Sequence, residues 1–279
     1  MRPRLVEALN AAFGTPVFQW IVPGAAIMFA AAMLVSLWVF VRRCGAAGLS
    51  RYHAVGAGLW AMAGGLIGTR AFYLLQHWQA TLADPGQVFD VKGGIASWGA
   101  YLGGFIGFVA YGWLRRLPLL PYADAIAPCL GLGVAIARWG CFFNGDDFGT
   151  LSGLPWAVRF PHGSIPFVAQ VQRGLLSPLV DLSLPVHPVQ IYLSLTGLVL
   201  FIATSAFWKR FSQRTGATFC VYWVGYCVSR FLWEFLRGDQ TQQLASLTVP
   251  QIMALVLVGP AVAGLWWSFR PVCSQCAIP

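Results

Sequence analysis

The stretch Ile136–Gly149, IARWGCFFNGDDFG, ends an apolar helical segment with an arginine and then a polar turn. An arginine at membrane depth costs about 3 kcal/mol or more unless it faces a polar cavity, so Arg138 indicates such a cavity. The small residues of Gly131–Ala135 precede it, and they allow another backbone or a ligand to approach closely. The Asn-Gly-Asp-Asp sequence that follows predicts a turn where the chain returns to water. We therefore predict a cation at the mouth of a membrane cavity.

The composition is that of a polytopic membrane protein. Of 279 residues, 58% are hydrophobic and only 10% are charged. We predict an all-α fold, a single transmembrane domain over residues 1–279 with about seven membrane-spanning helices. The third helix is short at its polar-flanked start, so six spans are the alternative. The predicted spans are Val17–Val41, Ala54–Leu75, Trp98–Leu114, Ala123–Phe143, Val189–Phe207, Ala217–Phe235 and Val249–Trp267.

The net charge of +9 is distributed by membrane side rather than as a surface for nucleic acid. With seven spans, one set of loops is basic and carries no acidic residue, whereas the other set mixes both signs. The positive-inside rule makes the basic side cytoplasmic, the N-terminus external and the C-terminus cytoplasmic. The basic set is Arg42, Arg43, Arg51, Arg115, Arg116, Lys209, Arg210, Arg214 and Arg270.

The segment 146–186, between the fourth and fifth predicted helices, is polar and rich in proline and glycine. Apolar residues alternate at Trp156–Phe160 and at Phe167–Val171, and alternation favours strands. We predict a small external arm, α/β or strand-containing, that lies over the membrane surface.

Two further arginines lie at membrane depth. Arg70 follows the glycine-rich stretch Gly64–Gly68, which is typical either of tight helix packing or of a face open to the cavity. Arg230 and Glu234 are spaced i, i+4 and therefore share a helix face, as a structural ion pair or as part of an anion clamp. Arginines near the outer ends of three helices, Arg138 among them, predict one shared site for the anionic head group of a phospholipid.

Other motifs are less specific. Gly93–Gly104 predicts a non-helical entry beside a helix. His187 precedes proline at a predicted helix start, where it is either structural or catalytic. Cys273 and Cys276 have metal-ligand spacing, but a structural zinc site needs four ligands. No phosphate-binding loop, serine-hydrolase elbow or zinc-protease motif is present. We predict neither a metal nor a cofactor.

Taken in order, the motifs resemble the bacterial prolipoprotein diacylglyceryl transferases. That family transfers the diacylglyceryl group of phosphatidylglycerol to the lipobox cysteine thiol of a preprolipoprotein and releases glycerol phosphate. The resemblance implies a multi-pass protein of the bacterial cytoplasmic (inner) membrane. It rests on GGLIGTR at Gly64–Arg70, GGIASWGAYLGG at Gly93–Gly104, ARWGCFFNGDDFG at Ala137–Gly149, HPVQIY at His187–Tyr192 and SRFLWEFLRGD at Ser229–Asp239.

The resemblance also implies site residues and partners. Arg138 and Arg230 match essential arginine positions and are the expected catalytic residues. The expected partners are phosphatidylglycerol, a preprolipoprotein or other acceptor, and membrane lipids, with no nucleic acid and with the protein as a monomer. The expected substrate-binding residues are Arg70, Ser97, Trp98, Asn144, Asp146, Gly149, His187, Gln190, Tyr192, Glu234 and Arg237.

The chain departs from the family pattern around the acceptor. Trp98 stands where the family has the histidine proposed to assist catalysis, and Cys141 stands where it has asparagine. Val189 and Leu193 replace a hydroxyl and a carboxylate, and the first-helix tyrosine has no clear counterpart. These departures make a non-catalytic or altered-acceptor phospholipid-binding paralogue the alternative function. A transporter is a weaker alternative, because neither an inverted repeat nor a pair of broken helices is evident.

Overall fold

The structure is a computed structural model that describes residues 18–83, 86, 97–239 and 247–270, with side chains described except at 18–24, 80, 83, 97 and 98. The elements in the described residues are helices, so the predicted all-α class is confirmed there. In chain order they are α1 (Phe18–Ala46), α2 (Arg51–Gln76), α3 (Trp78–Ala83), α4 (Ser97–Leu114), α5 (Leu119–Asn144), α6 (Ile165–Gln172), α7 (Val189–Phe211), α8 (Ala217–Glu234) and α9 (Val249–Ser268).

Four helices in the described part of the chain are long and apolar enough to cross a membrane: Ala25–Ala46 within α1, and the whole of α5, α7 and α9. Helix α4 is apolar but shorter, and its segment Gly99–Leu114 falls below that length. The architecture is therefore that of a multi-pass helical membrane protein. Four of the seven predicted spans have the expected length and composition, and the full number remains a prediction.

The chain forms two compact units. The first contains 126–270 together with 18–36, and the second is Leu37–Ala125. Arg138, Arg230 and Arg237 belong to the first unit, whereas Arg70 belongs to the second.

In the second unit, α2 and α4 pack through glycines. A Cβ atom placed on Gly64 would lie 2.3 Å from the carbonyl oxygen of Gly103, and one placed on Gly68 would lie 2.2 Å from that of Gly99. We call these four residues the glycine interface. Because carbon and oxygen atoms cannot approach so closely, only glycine allows the two backbones this separation. The tight-packing interpretation of Gly64–Gly68 is confirmed.

In the first unit, the small residues before Arg138 contact another helix. A Cβ atom on Gly131 would lie 2.9 Å from the carbonyl oxygen of Gly197 in α7. The Ser194 hydroxyl donates a hydrogen bond to the carbonyl oxygen of Ala135 at 2.6 Å. The small residues of Gly131–Ala135 therefore allow the backbone of α7 to approach α5 closely, in the turns of α5 that precede Arg138.

The predicted strand at Phe167–Val171 is wrong, because these residues lie in α6. Ser164 precedes the helix in an extended conformation, and a proline occupies its first turn. The buried side chains of Phe167 and Gln170 are three residues apart, which is a helical spacing. Over five residues, a helical and an alternating pattern overlap enough to be confused.

The predicted strand at Trp156–Phe160 is reduced to a single isolated antiparallel bridge, between Val158 and Val186. Segment 146–186, which the structure describes throughout, contains α6 and isolated bridges but no continuous strand. The non-helical entry predicted at Gly93–Gly104 is wrong from Ser97 onward, where α4 begins, and its first part, 93–96, lies outside the described residues. Cys273 and Cys276 also lie outside the described residues.

Candidate functional site

The turn after α5 brings a carboxylate back to the arginine of that helix. Helix α5 ends at Asn144. Gly145 has a φ of 84° and Asp147 has a φ of 54°, so the chain reverses through left-handed backbone. As a result, Arg138 Nη1 forms an ion pair with Asp147 Oδ2. Aspartate tolerates this backbone region better than most residues, which suits it to the position.

The second oxygen of the same carboxylate holds another arginine. Asp147 Oδ1 forms an ion pair with Arg237 Nη2, and Arg237 follows α8. Asp239 also binds Arg237 through two contacts, from Nε at 3.0 Å and from Nη2 at 2.7 Å. Asp147 therefore bridges two arginines that are far apart in the sequence.

Arg230 pairs with Glu234 as the spacing predicted, with Nη2 3.2 Å from Oε2. The Glu234 side chain is fully buried, and its Oε1 accepts a hydrogen bond from the Thr248 hydroxyl at 3.0 Å. Arg237 Nη1 lies 3.9 Å from Glu234 Oε2. Arg230 Nη1 is buried without a hydrogen-bond partner in the described residues. The ion pair is present, and Arg230 still has one N–H group available to a ligand.

Together these contacts connect three guanidinium groups. Arg138 and Arg230 pair with different carboxylates, but Arg237 contacts both of those carboxylates and links them. We call the set the arginine cluster; it consists of Arg138, Arg230, Arg237, Asp147, Glu234 and Asp239.

The electrostatic surroundings shift the pKa values of the two aspartates of the turn, Asp146 and Asp147, in opposite directions. Burial opposes ionisation of Asp147, but Arg138 and Arg237 outweigh it and hold the pKa of Asp147 below its usual value of 3.8. Burial and the neighbouring Asp147 charge raise the pKa of Asp146 above that value. Burial opposes the charged form of Arg237, but the hydrogen bonding to Asp239 and the negative charges of Asp147, Asp239 and Glu234 together outweigh it and raise the pKa of Arg237. Asp147 is therefore the carboxylate of the turn that is held ionised.

Three chain segments cross beside the cluster, and Gly149 is at the centre of the crossing. Its N–H donates to the carbonyl oxygen of His187 at 3.1 Å, and Gly238 N–H donates to that of Phe148 at 2.9 Å. A Cβ atom on Gly149 would lie 2.5 Å from the His187 oxygen. The fully buried Gln190 donates from Nε2 to the carbonyl oxygen of Asp146 at 2.7 Å. Predicted residues Asp146, Gly149 and Gln190 therefore shape the arginine-bearing turn.

His187 and Tyr192 form a second polar group. Trp156 Nε1 donates to the Tyr192 hydroxyl at 2.8 Å, and that hydroxyl lies 3.4 Å from His187 Nδ1. Indole only donates, so the Tyr192 oxygen accepts from Trp156, whereas the direction of the bond between Tyr192 and His187 depends on the imidazole tautomer. Tyr192 also packs on Trp233, with ring centroids 5.2 Å apart. The Tyr192 hydroxyl thereby orients the His187 ring through Nδ1.

Several predicted residues are not brought into this group by the described contacts. Arg70 lies over the ring of Tyr73, 5.3 Å from its centroid, in the second unit. Ser97 and Trp98 begin α4, but their side chains are outside the described part. Asn144 is the last residue of α5. The convergence of Arg70 with Arg138 and Arg230 therefore remains a prediction.

Sequence analysis missed two members of the site. The sequence marks Asp147 only as part of the turn that returns to water, and its position beside Asp146 does not distinguish the two carboxylates. Thr248 carries a recognisable signal, because threonine followed three residues later by glutamine is a capping box at a helix start. No group of three or more His, Cys, Asp or Glu side chains in the described residues is placed to hold a metal ion.

Comparison of the sequence with known proteins places the chain in a family. Residues 22–267 match the family model described as prolipoprotein diacylglyceryl transferase. The phosphatidylglycerol–prolipoprotein diacylglyceryl transferase of Gloeobacter violaceus is 35% identical over 219 residues, covering 76% of each chain. That of Synechococcus elongatus is 31% identical over 217 residues, covering 76% of this chain and 71% of the relative. That of Corynebacterium glutamicum is 28% identical over 246 residues, covering 85% and 76%. The chain therefore belongs to the prolipoprotein diacylglyceryl transferase family.

Proposed function

We propose that this protein transfers the diacylglyceryl group of phosphatidylglycerol to the lipobox cysteine thiol of a preprolipoprotein. The observation that carries the proposal is the bridge of Arg138 and Arg237 across one carboxylate. Two guanidinium groups that meet at a single anionic group supply the positive charge that a departing phosphate requires. The names of the relatives give the same reaction. The alternative of a non-catalytic binding protein has less support, since those relatives are named as transferases.

In the proposed reaction, a carbon–sulfur bond forms between the acceptor thiol and the glyceryl carbon. The bond from that carbon to the phosphate oxygen breaks, and glycerol phosphate leaves. Arg138, Arg230 and Arg237 stabilise the negative charge that stays on the leaving group, which is typically a large term in catalysis. Arg230 Nη1, which is buried and has no partner in the described residues, provides a further donor for a phosphate oxygen.

The thiol proton needs an acceptor, because the thiolate is the nucleophile. Trp98 cannot accept a proton, since the indole nitrogen is a donor only. His187 is the candidate in the described residues: with its Nδ1–H donating to the Tyr192 oxygen 3.4 Å away, Nε2 has a free lone pair that accepts the thiol proton. We assign the two residues the acceptor side of the reaction and the arginine cluster the donor side.

An apolar groove lined in part by Trp233 suits the lipid part of the substrate. It has a volume of about 550 Å³ and is formed by α7, α8 and the turn that follows α8. Its walls include Val228, Leu232 and Trp233, and Trp233 directly precedes Glu234 of the arginine cluster. We assign an acyl chain of the phospholipid to this groove, with the head group at the cluster.

Loss of transfer in an arginine variant tests the function. Purified full-length protein is given fluorescent phosphatidylglycerol and a lipobox peptide, and the lipidated peptide is measured. We expect Arg138→Ala to reduce transfer about 10²- to 10³-fold, the typical effect of removing one donor to a developing oxyanion. Arg210→Ala, which changes an exposed arginine outside the cluster, should retain transfer. Phospholipid binding without transfer in the parent protein would support the binding-protein alternative.

We also propose the seven-span topology, with an external N-terminus, a cytoplasmic C-terminus, an external arm at 146–186 and a monomeric protein. Helices α2, α4 and α8 occupy the places of the three spans beyond the four long apolar helices. Leu179 is 91% exposed in the arm, so Leu179→Cys is a suitable labelling site. Modification by an impermeant reagent from outside the cell, above that of the parent protein, is expected. Labelling from the cytoplasmic face alone would invert the topology.

A further inference from the structure

The arginine cluster is electrically balanced before any substrate enters. Its three guanidinium groups face three carboxylates, those of Asp147, Glu234 and Asp239, and the Asp146 carboxyl also acts on Arg138, so no positive charge is in excess. A phosphate that entered this set unchanged would add a negative charge to a partly buried, already neutral group. Bringing an uncompensated charge into such surroundings is costly. Binding of an anionic head group therefore requires that one of the three carboxylates withdraw.

Two of the carboxylates are poorly suited to withdraw. Glu234 is fully buried, pairs with Arg230 and accepts a hydrogen bond from Thr248, so its departure would leave buried partners unpaired. Asp239 is two residues from Arg237 and binds it through both oxygens, whereas Arg138 is paired with Asp147. Its withdrawal would leave both arginines still paired with Asp147.

Asp147 has the properties that the other two lack. Its carboxylate is the group that contacts both Arg138 and Arg237, one oxygen on each. The side chain keeps 23% of its surface exposed, so it has a path to water. Its backbone has a φ of 54°, in the left-handed region, within a turn that also contains a left-handed glycine. A carboxylate in this position has the charge and the two-point contact that a phosphate would have.

We propose that Asp147 is an internal competitor of the substrate phosphate: its carboxylate pairs with Arg138 and Arg237, and the phospholipid head group displaces it. The inference rests on the proposed function for the identity of the ligand, a phosphodiester. It goes further in assigning to Asp147 control over which anions bind. Only an anion that contacts both arginines at once replaces everything that Asp147 supplied, so the competition selects a bidentate phosphate over a weakly bound monodentate anion.

The proposed competition predicts that loss of the Asp147 charge increases the affinity for phosphate rather than decreasing it. Removing a carboxylate that only positioned the arginines would weaken phosphate binding, whereas removing a competitor strengthens it. Asp147→Asn keeps the side-chain size and the tolerance for left-handed backbone but removes the charge. Phosphatidylglycerol affinity is measured on the full-length protein in phosphatidylcholine nanodiscs doped with phosphatidylglycerol. We expect Asp147→Asn to bind about tenfold more tightly than the parent, because it has no charge-assisted contacts to break.

Matched variants separate this effect from a general change in charge. Asp239→Asn removes one carboxylate from Arg237 as well, and we expect it to change the affinity by less than Asp147→Asn. Glycerol phosphate and inorganic phosphate, titrated in the same nanodiscs without phosphatidylglycerol, distinguish the phosphate contacts from those of the acyl chains. Tightening with all three ligands supports displacement by the phosphate. Tightening with phosphatidylglycerol alone would place the effect at the lipid chains and overturn the proposal.

Other outcomes are equally decisive. Weaker or unchanged binding in Asp147→Asn would make Asp147 a positioning residue and overturn the competition. If the variant does not fold, Asp147→Gly, which accepts the same φ, replaces it. Failure of the proposed function is visible separately, as absence of transfer to the lipobox peptide in the parent. Tight phosphate binding by Asp147→Asn would stand even then, whereas absence of phosphate binding in both proteins would overturn the inference.

Discussion

The glycine interface and the arginine cluster are built on opposite principles. Between α2 and α4, contact depends on the absence of side chains, and backbone oxygens occupy the space that a Cβ atom would need. In the other unit, contact depends on long charged side chains that reach one another from α5, α8 and the segments after them. The first arrangement has no alternative partner to offer. The second contains carboxylates that an anion of similar geometry is able to replace.

This difference teaches where to look for function in a chain of this composition. Glycines that fit only one neighbour describe packing, even when they lie in a motif shared with a family of enzymes. Charges that are balanced but incompletely buried describe a site, because they have the means to exchange partners. The four predictions below test this division, in order of expected effect.

The largest effect is expected at the start of α4, in the unit otherwise described by packing. Trp98 occupies the position where the resemblance implies a histidine, and loss of one general base typically costs 10²- to 10⁴-fold in rate. We expect Trp98→His to increase transfer to the lipobox peptide within that range, with phosphatidylglycerol binding unchanged. Trp113→His, the same change at the exposed far end of α4, serves as the control. No gain in a fully active parent would mean that this position takes no part in the chemistry.

Within the arginine cluster, Glu234→Gln should cause the largest loss of stability. The substitution keeps the size of the side chain and the acceptor for Thr248 but removes the charge that faces Arg230 and Arg237. Breaking a buried ion pair by removing one partner typically costs about 3–5 kcal/mol. The free energy of unfolding in mixed detergent measures the effect. Asp181→Asn, an exposed acid-to-amide change, should have little effect; an equal loss in both variants would contradict a special role for the buried pair.

Neighbouring glycines of α4 provide an internal comparison for the glycine interface. A Cβ atom on Gly103 would lie 2.1 Å from the carbonyl oxygen of Gly64, whereas one on Gly104 would lie 3.3 Å from that of Ala61. Overpacking typically costs about 1–3 kcal/mol, so we expect Gly103→Ala to destabilise by that amount and Gly104→Ala by clearly less. Thermal unfolding of the two variants decides the point. Similar melting temperatures would show that the helices separate without cost.

The smallest effect is the response of stability to acid. The pKa of Asp147 is lowered in the folded protein, so its stabilising contribution is present above pH 3.8 and is lost as the pH falls through the lowered pKa. The pKa of Asp146 is raised, so its contribution is present below pH 3.8 and is lost as the pH rises through the raised pKa. These two contributions change with pH in opposite directions, so they reduce the net pH dependence of the parent protein's stability. We expect the stability difference between the parent and Asp147→Asn to shrink toward low pH.

Asp146→Asn supplies the matching control for that titration. Its stability difference from the parent should change in the opposite direction, being most unfavourable to the variant at low pH. Unfolding measured from pH 3 to pH 7 compares the two variants directly. Parallel curves would show that the two carboxylates do not differ in their folded-state pKa.

The sequence predicted the parts of the molecule that depend on local spacing. The pairing of Arg230 with Glu234 follows from one helical turn, and the end of α5 follows from the turn residues after it. The contact between Asp147 and Arg237 joins residues 90 positions apart, and no local pattern encodes it. The strand prediction at Phe167–Val171 is wrong because a five-residue segment is too short to distinguish the two-residue repeat of a strand from the 3.6-residue repeat of a helix. Arg138 and Arg230 could therefore be predicted from their membrane depth and Arg237 from the family resemblance, but the carboxylate between them could not.

The hydroxyl of Thr248 has a consequence for biosynthesis. It opens α9 through a capping box, and it also holds the buried carboxylate of Glu234. During synthesis, while Thr248 is still inside the ribosome, Glu234 lacks this hydrogen-bond partner. Its carboxylate, which pairs with Arg230 and Arg237, is then not yet held in place. The last helix thus completes the site as it enters the membrane. A chain truncated before residue 248 would carry every arginine of the cluster and still be an unfinished protein.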